Sequence, residues 1–139
     1  MTPQQIETVQ KTWREVLPMA EAAADLFYER LFTLDSRLRH IFPEDLSVQK
    51  KKLMVMLGRI VTGLRESQGD VQGIEDLGRR HVGYGVRSED YDTVGEALLW
   101  ALEQGLGSAW TLEVKASWLA AYKMLSAVML KAAHEVYED

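Results

Sequence analysis

The sequence predicts an all-α fold of about seven helices of unequal length, formed by one domain over residues 1–139. Apolar side chains recur at three-to-four spacing along nearly the whole chain, whereas the alternating pattern of strands is almost absent. The prolines, Pro3, Pro18 and Pro43, all lie in the first third, so no proline interrupts a helix after Pro43.

The first two helices are marked by a cap and by a proline. Thr2 is expected to cap the first helix, with Pro3 at its first position and Gln5 completing a capping box. Pro18 marks the end of this helix, and a second helix follows, with Tyr28 on its flank. The residues expected to face inward on the two helices are Ile6, Val9, Trp13, Val16, Ala23, Phe27 and Leu31.

A short helix and then a long one are predicted on either side of a bend at residues 43–46. Asp35 or Ser36 is expected to cap the short helix, and Ser47 can cap the long one. Gln49 lies on the apolar face of the long helix, which also carries Leu53, Met56, Leu57, Ile60, Val61 and Leu64.

A further short helix places a histidine on an apolar face. Ile74, Leu77 and His81 recur at i, i+3 and i+7, which puts all three on one side of the helix. A loose linker over residues 67–73 is expected before this helix, and Gly83 and Gly85 are expected to end it.

The last two helices are again marked by caps. Ser88 is expected to cap a helix that ends at Gly105 and Gly107, and Thr111 to cap the last and longest helix. Their predicted inward residues are Tyr91, Val94, Leu98 and Leu102 on the first, and Trp118, Leu125, Val128, Ala132 and Val136 on the second.

Three polar side chains on apolar faces, those of Tyr28, Gln49 and His81, form the candidate site, together with Phe42. Each has an ordinary explanation alone: a hydrogen-bonded core histidine, a glutamine at a helix edge, and a tyrosine with a solvated hydroxyl. Together they need a polar partner inside the core, and a haem group with a gaseous ligand would supply it.

The same residues carry a resemblance to a known family. In order and spacing, Phe27-Tyr28, Phe42, Gln49, Leu53, His81 and Tyr91 resemble the globins, and most closely bacterial single-domain globins related to the haem domain of flavohaemoglobins. The local motifs are Leu26-Phe27-Tyr28 and Leu77-Gly78-Arg79-Arg80-His81. The resemblance covers essentially the whole chain and implies a three-over-three helical sandwich.

The resemblance implies haem b, iron protoporphyrin IX, with His81 as the iron ligand. The other two histidines are less suitable, because His40 is expected at a helix end near solvent and His134 on the surface of the last helix. The chain has no cysteine, which excludes thiolate ligands and covalent attachment of haem.

On the side opposite His81, the resemblance implies two hydrogen-bond donors, Tyr28 and Gln49. A bond from such a donor to oxygen that carries partial negative charge is worth roughly 1.5–3 kcal/mol, which slows oxygen release by about ten- to a hundred-fold. Leu53 resembles the apolar gate beside the ligand, and Phe42 the ring that packs on the porphyrin.

On the histidine side, the resemblance places Tyr91 and Glu135 around His81, where a carboxylate accepting the Nδ1 proton would favour oxygen activation. Glu135 could equally be a solvated acid near the C-terminus. Lys52 and Arg80 are the cations expected to pair with the haem propionates. The cofactor-binding residues implied in all are Tyr28, Phe42, Gln49, Lys52, Leu53, Arg80, His81, Tyr91 and Val94.

Composition excludes several other classes of protein. The net charge of −5 disfavours binding to nucleic acid, and the run Lys50-Lys51-Lys52 is expected to be a solvated helix face. The N-terminus lacks the features of a signal peptide, and no apolar run approaches the length of a membrane span. A cytoplasmic protein is therefore expected.

Several function classes remain open from these residues. Reversible binding of oxygen for storage, delivery or scavenging is the first, with nitric oxide and carbon monoxide as further iron ligands. Nitric oxide dioxygenation to nitrate is the second. If residue 139 is the end of the protein, this reaction needs a separate reductase, with Tyr28, Gln49, Tyr91 and Glu135 as its catalytic residues. A gas sensor would need a partner protein, and the placement of His81 disfavours a globin fold without haem.

Overall fold

Helices form almost all of the structure, a computed structural model that describes residues 1–65, 71–83 and 86–138. The α-helices of these residues are α1 (Pro3–Val16), α2 (Ala20–Leu34), α3 (Ser47–Thr62), α4 (Val71–Gly83), α5 (Asp90–Leu106) and α6 (Leu112–Glu138). Short 3-10 turns occupy Leu17–Met19, Ser36–Ile41 and Gly107–Ala109. The predicted all-α fold is confirmed.

The caps of three elements follow the sequence pattern. The Thr2 side chain accepts a hydrogen bond from the Gln5 N–H, and the Gln5 side chain accepts one from the Thr2 N–H, so the predicted capping box is present. Asp35, one of the two predicted alternatives, caps the 3-10 turn at Ser36–Ile41. Thr111 Oγ1 accepts the Val114 N–H at 3.2 Å, as predicted for the start of α6.

Two predicted caps, Ser47 and Ser88, are wrong, because Ser47 is already the first residue of α3 and Glu89, not Ser88, directly precedes α5. At the start of α3, the Asp45 carboxylate accepts the Ser47 N–H at 2.9 Å. Before α5, the buried Asp90 carboxylate accepts the Arg87 N–H at 2.9 Å. These carboxylates bind N–H groups at or before the two helix starts, and neither helix has a side-chain cap from its N-cap residue.

Two predicted boundaries also shift. Leu64 was expected on the long helix, but it follows the end of α3 and is buried in a turn at 1% exposure. The predicted linker over 67–73 is too long, because α4 already begins at Val71. Residues 67–70 of that linker lie outside the described part of the chain.

The core between α1 and α6 is organised around two tryptophans. The Trp13 and Trp118 rings lie 6.3 Å apart, and Trp118 Nε1 donates a buried hydrogen bond of 2.8 Å to Thr12 Oγ1. The inward residues predicted for α1 and α2 are all buried. This core fixes the N-terminal helix against the C-terminal one and leaves the other end of α6 to carry α4.

Helix α4 rests directly on α6 through Gly78. A Cβ atom at this position would lie 2.4 Å from the Met129 carbonyl oxygen, closer than any real contact, so the two backbones approach because position 78 has no side chain. A similar approach occurs between α5 and α6, where a Cβ at Gly95 would lie 2.7 Å from the Tyr122 ring. These contacts set the position of the helix that carries His81.

Helix α2 also packs against α5 and α3, and α1 packs against α6. Among the described residues, no helix is both long and apolar enough to span a membrane.

Candidate functional site

A cavity of about 830 Å³ opens between the helices, with walls that are mostly apolar. Its floor and sides come from α2 to α6, and from the segment that follows the Ser36–Ile41 turn. Every residue predicted to bind the cofactor lines this cavity: Tyr28, Phe42, Gln49, Lys52, Leu53, Arg80, His81, Tyr91 and Val94. Residues that are distant in sequence are thus brought together around one space.

His81 lies in the last turn of α4 with its ring partly buried. Its Nδ1 lies 2.7 Å from the Leu77 carbonyl oxygen, one turn earlier. Because a carbonyl can only accept, Nδ1 carries the proton, and the nitrogen with a lone pair suited to a metal is Nε2. Burial lowers the pKa of His81, the Leu77 carbonyl acts in the opposite direction, and the Arg80 charge lowers the pKa further. The imidazole is therefore neutral at neutral pH.

Tyr28 contributes a phenol from α2 to the same cavity. The residue is 3% exposed, and its ring makes edge-to-face contacts with Phe27 at 4.9 Å and with Phe42 at 5.5 Å. Burial raises the pKa of Tyr28 above its ordinary value, and hydrogen bonding to the Gln49 side chain partly opposes this rise. The phenol therefore keeps its proton and can act as a donor well above neutral pH.

Arg39 was not among the predicted site residues, yet it holds the segment that carries Phe42. Its guanidinium donates to the carbonyl oxygens of Phe42 at 3.3 Å, Pro43 at 2.9 Å and Glu44 at 2.7 Å. It also lies 5.4 Å from the centre of the Phe32 ring. A surface-like Arg next to His40 gave no signal of this role in the sequence.

Tyr122 is a second residue that the sequence analysis missed. It lines the cavity from α6, and its hydroxyl donates a hydrogen bond to the Tyr91 carbonyl oxygen. Burial raises the pKa of Tyr122, and the nearby Tyr91 and Asp92 raise it further. The contacts of Tyr122 with Gly95 and with the Tyr91 carbonyl fix how α5 packs on α6. They thereby fix the position of Tyr91 in the cavity wall.

Glu135 is placed differently from the expectation that it accepts the Nδ1 proton of His81. Its carboxylate is about half exposed and lies 3.8 Å from the Arg79 guanidinium, which also pairs with Glu75 and Asp76. The acceptor on Nδ1 is instead the Leu77 carbonyl. The α6 residue bonded to Tyr91 is Tyr122, which donates to its carbonyl oxygen. The expectation is corrected for this reason.

The mouth of the cavity carries the cations. Lys52 on α3 and Arg80 on α4 are both exposed and both line it, as do Lys51 and Arg59. Opposite walls of the mouth therefore present positive charge to anything that projects from the cavity into solvent.

The comparisons with known proteins agree with this geometry. The family model described as Globin matches residues 25–129, which is most of the chain. This chain belongs to the globin family. The three-over-three sandwich predicted from the resemblance is therefore confirmed, and so is the resemblance itself.

Two relatives show how this globin compares in sequence. It is 31% identical over 124 residues to a neuroglobin from Danio rerio, an alignment that covers 76% of each protein. It is 29% identical over 115 residues to a flavohemoprotein from Rhizobium meliloti, which covers 81% of this chain. That alignment spans only 28% of the flavohemoprotein.

A solved structure shows the same fold. The bacterial globin from Campylobacter jejuni superposes with a TM-score of 0.86 over 99% of this chain and 100% of its own, at 18% identity. The other two histidines of this globin, His40 and His134, are exposed as predicted, and neither lines the cavity.

Proposed function

We propose that this globin binds haem b, iron protoporphyrin IX, and with it binds oxygen reversibly and with high affinity. The observation that carries the proposal is the neutral His81 imidazole, held through Nδ1, in one cavity with the Tyr28 phenol. When bound, the haem iron supplies the coordination site for a diatomic gas. The protein side chains decide how the iron is held and what surrounds the gas.

The size and lining of the cavity fit the group. Its volume of about 830 Å³ falls within the roughly 300–1,000 Å³ that is usual for small-molecule and cofactor sites. Apolar side chains such as Phe27, Leu31 and Leu125 form its walls. Such walls suit a flat apolar ring and exclude water from the space around it.

The mouth of the cavity fits the two carboxylates of protoporphyrin. Lys52 and Arg80 are exposed cations on opposite walls, so each can pair with a propionate while both charges remain hydrated. Exposed pairs of this kind contribute little binding energy, and we infer that they mainly orient the ring.

The Leu77 carbonyl defines the role of His81 as the ligand. It fixes the tautomer in which Nε2 has the lone pair, and it holds the ring on the cavity side of α4. A carbonyl is a neutral acceptor, so it draws less imidazolate character from the ring than a carboxylate would. Weak donation of charge favours reversible binding over activation of oxygen.

The phenol and amide on the facing wall favour slow release of oxygen. Tyr28 is buried and stays protonated, and Gln49 offers an amide N–H beside it. A hydrogen bond to an acceptor that carries partial charge is worth roughly 1.5–3 kcal/mol, or about ten- to a hundred-fold in dissociation rate.

The proposal is tested by adding haem to the purified apoprotein and then cycling the reduced protein between oxygen and an inert gas. We expect one haem per chain and a spectrum that returns to the unliganded ferrous form after each cycle. His134→Ala is the matched control and should behave as wild type. Failure to bind haem, or oxidation to the ferric form within the first cycle, would refute the proposal.

Nitric oxide dioxygenation is the second candidate, because the Tyr28–Gln49 pair and the similarity to a flavohemoprotein both favour it. In that reaction one nitric oxide, one oxygen and one electron yield one nitrate. Stopped-flow mixing of the oxygenated protein with nitric oxide, followed by reduction with cell extract, separates the two functions. Many nitrates formed per haem would indicate the enzyme, and a single turnover would indicate the carrier.

A further inference from the structure

The outer face of α3 carries charge and apolar surface of which the proposed function uses only Lys52. Its exposed members recur at i, i+3, i+4, i+7 and i+11 and so share one side of the helix: Val48, Lys51, Lys52, Val55 and Arg59. We refer to these five residues as the α3 stripe. Val48 and Val55 are each 63% exposed. One exposed valine is ordinary, whereas two framed by three cations form a mixed face suited to contact with another molecule.

The charge of the α3 stripe is not neutralised within the described residues. Lys51, Lys52 and Arg59 have no ion pair in this part of the chain, whereas Lys50 pairs with Asp25 at 2.8 Å. Helix α3 contains no acidic residue, although the whole chain has a net charge of −5. The molecule is therefore acidic overall and has a basic face on α3.

The position of the α3 stripe relates it to the cavity. All five residues line the cavity mouth. A molecule that covered the stripe would therefore lie beside the edge of a haem held in the cavity. A globin whose iron is oxidised needs one electron to bind oxygen again, and a donor docked on this face would lie next to the cavity.

We propose that the α3 stripe is the docking surface for an acidic protein that donates one electron, such as a reduced flavoprotein or iron–sulfur protein. The proposal rests on the haem binding proposed above. The donor loses one electron and the ferric iron gains it, with no bond made or broken. Charge complementarity steers such a partner to the basic face, and the valines give the docked pair an apolar contact.

The charge distribution favours a compact acidic protein over an extended polyanion. A membrane surface or a nucleic acid would bring the net negative charge of the molecule close to many further negative charges. A protein with one acidic patch meets only the basic face, because at physiological salt charges more than about 8 Å apart are largely screened.

The test measures binding of oxidised flavodoxin, used as an acidic FMN protein, to the haem-loaded full chain by isothermal titration at low and at physiological salt. Lys51→Glu and Arg59→Glu reverse charges of the stripe, and Lys115→Glu and Lys123→Glu are matched controls at exposed positions on α6. We expect each α3 variant to weaken binding at low salt by about ten-fold or more, and each control by less than about three-fold. Reduction of the ferric protein by flavodoxin should slow in the same order.

Three results would overturn the proposal. An equal loss of affinity for flavodoxin in the α3 and α6 variants would show that binding depends on net charge alone. Binding to anionic lipid vesicles that the α3 variants abolish, with no binding of flavodoxin, would make the stripe a membrane contact. Self-association that Lys51→Glu abolishes in sedimentation would make it a contact between two copies. Haem uptake is measured first. Its failure in wild type would refute the proposed function, and the flavodoxin titration repeated on the haem-free chain would then still report on the stripe.

Discussion

The Nδ1 atom of His81 lies 2.7 Å from the Leu77 carbonyl oxygen, within the same helix. This bond orients the imidazole through the backbone of α4 itself. The partner of Nδ1 is thus a neutral carbonyl. This site therefore differs from one in which a carboxylate bonded to the histidine favours activation of oxygen. The expected carboxylate of Glu135 pairs with Arg79 instead.

Removing the imidazole should remove the haem. We expect His81→Gly to remain helical by circular dichroism, because the ring is not part of the fully buried core, but to lose haem on gel filtration. Added imidazole should restore a histidine-like ferrous spectrum by occupying the space that is created. A normal ferrous spectrum in the variant without imidazole would show that another residue holds the iron.

Removing the Tyr28 hydroxyl should speed oxygen release by about ten-fold or more, because a bond to a charge-carrying acceptor is lost. Release of carbon monoxide, which carries little charge, should change less. The matched control is Tyr122→Phe, since that hydroxyl already donates to the Tyr91 carbonyl. Wild-type release should stay constant from neutral into alkaline pH, because burial raises the pKa of Tyr28 above its ordinary value. Equal effects on the two gases would point to a steric role.

Adding a methyl group at Gly78 should force α4 away from α6, because its Cβ would lie 2.4 Å from the Met129 carbonyl oxygen. We expect Gly78→Ala to lower the free energy of unfolding by about 1–3 kcal/mol, with weaker retention of haem. Gly58→Ala is the control, since its Cβ would make an ordinary contact at 3.7 Å with Trp13, and a helix gains up to about 1 kcal/mol from this change. Urea denaturation measures both, and equal stabilities would contradict the close approach.

Removing the Thr12 hydroxyl should leave the buried Trp118 N–H without an acceptor. The loss of this bond predicts that Thr12→Val lowers the free energy of unfolding by about 1–3 kcal/mol. Thr33→Val removes an exposed hydroxyl that bonds only to its own helix, and it should change stability by less than about 0.5 kcal/mol. Similar effects of the two variants would show that the Thr12–Trp118 bond contributes nothing.

Local patterns in the sequence were sufficient for the parts of the fold that depend on neighbours along the chain. The i, i+3, i+7 spacing placed His81 on the inward face of α4, and the capping box at Thr2 placed the start of α1. The same reasoning failed at Ser47 and Ser88, because a cap residue must directly precede the first helical residue, and the pattern does not show that α3 begins at Ser47 itself and α5 only at Asp90.

Contacts between distant residues could not be predicted from the sequence. Arg39 binds carbonyl oxygens of the following loop, and Tyr122 binds the backbone of another helix, and neither has a local signature. The expectation for Glu135 came from a family resemblance, and the local sequence does not show that its carboxylate pairs with Arg79.

The Fe–His stretching frequency of the ferrous, ligand-free protein tests the central claim, that a neutral carbonyl partners His81, most directly. Resonance Raman spectra of wild type and Glu135→Gln are compared, with Arg79→Gln as a control for the loss of the ion pair. We predict one frequency for all three proteins and an unchanged ferric/ferrous potential, because the Leu77 carbonyl is present in each. A lower frequency and a higher potential in Glu135→Gln alone would show that the carboxylate polarises His81, and would contradict the account.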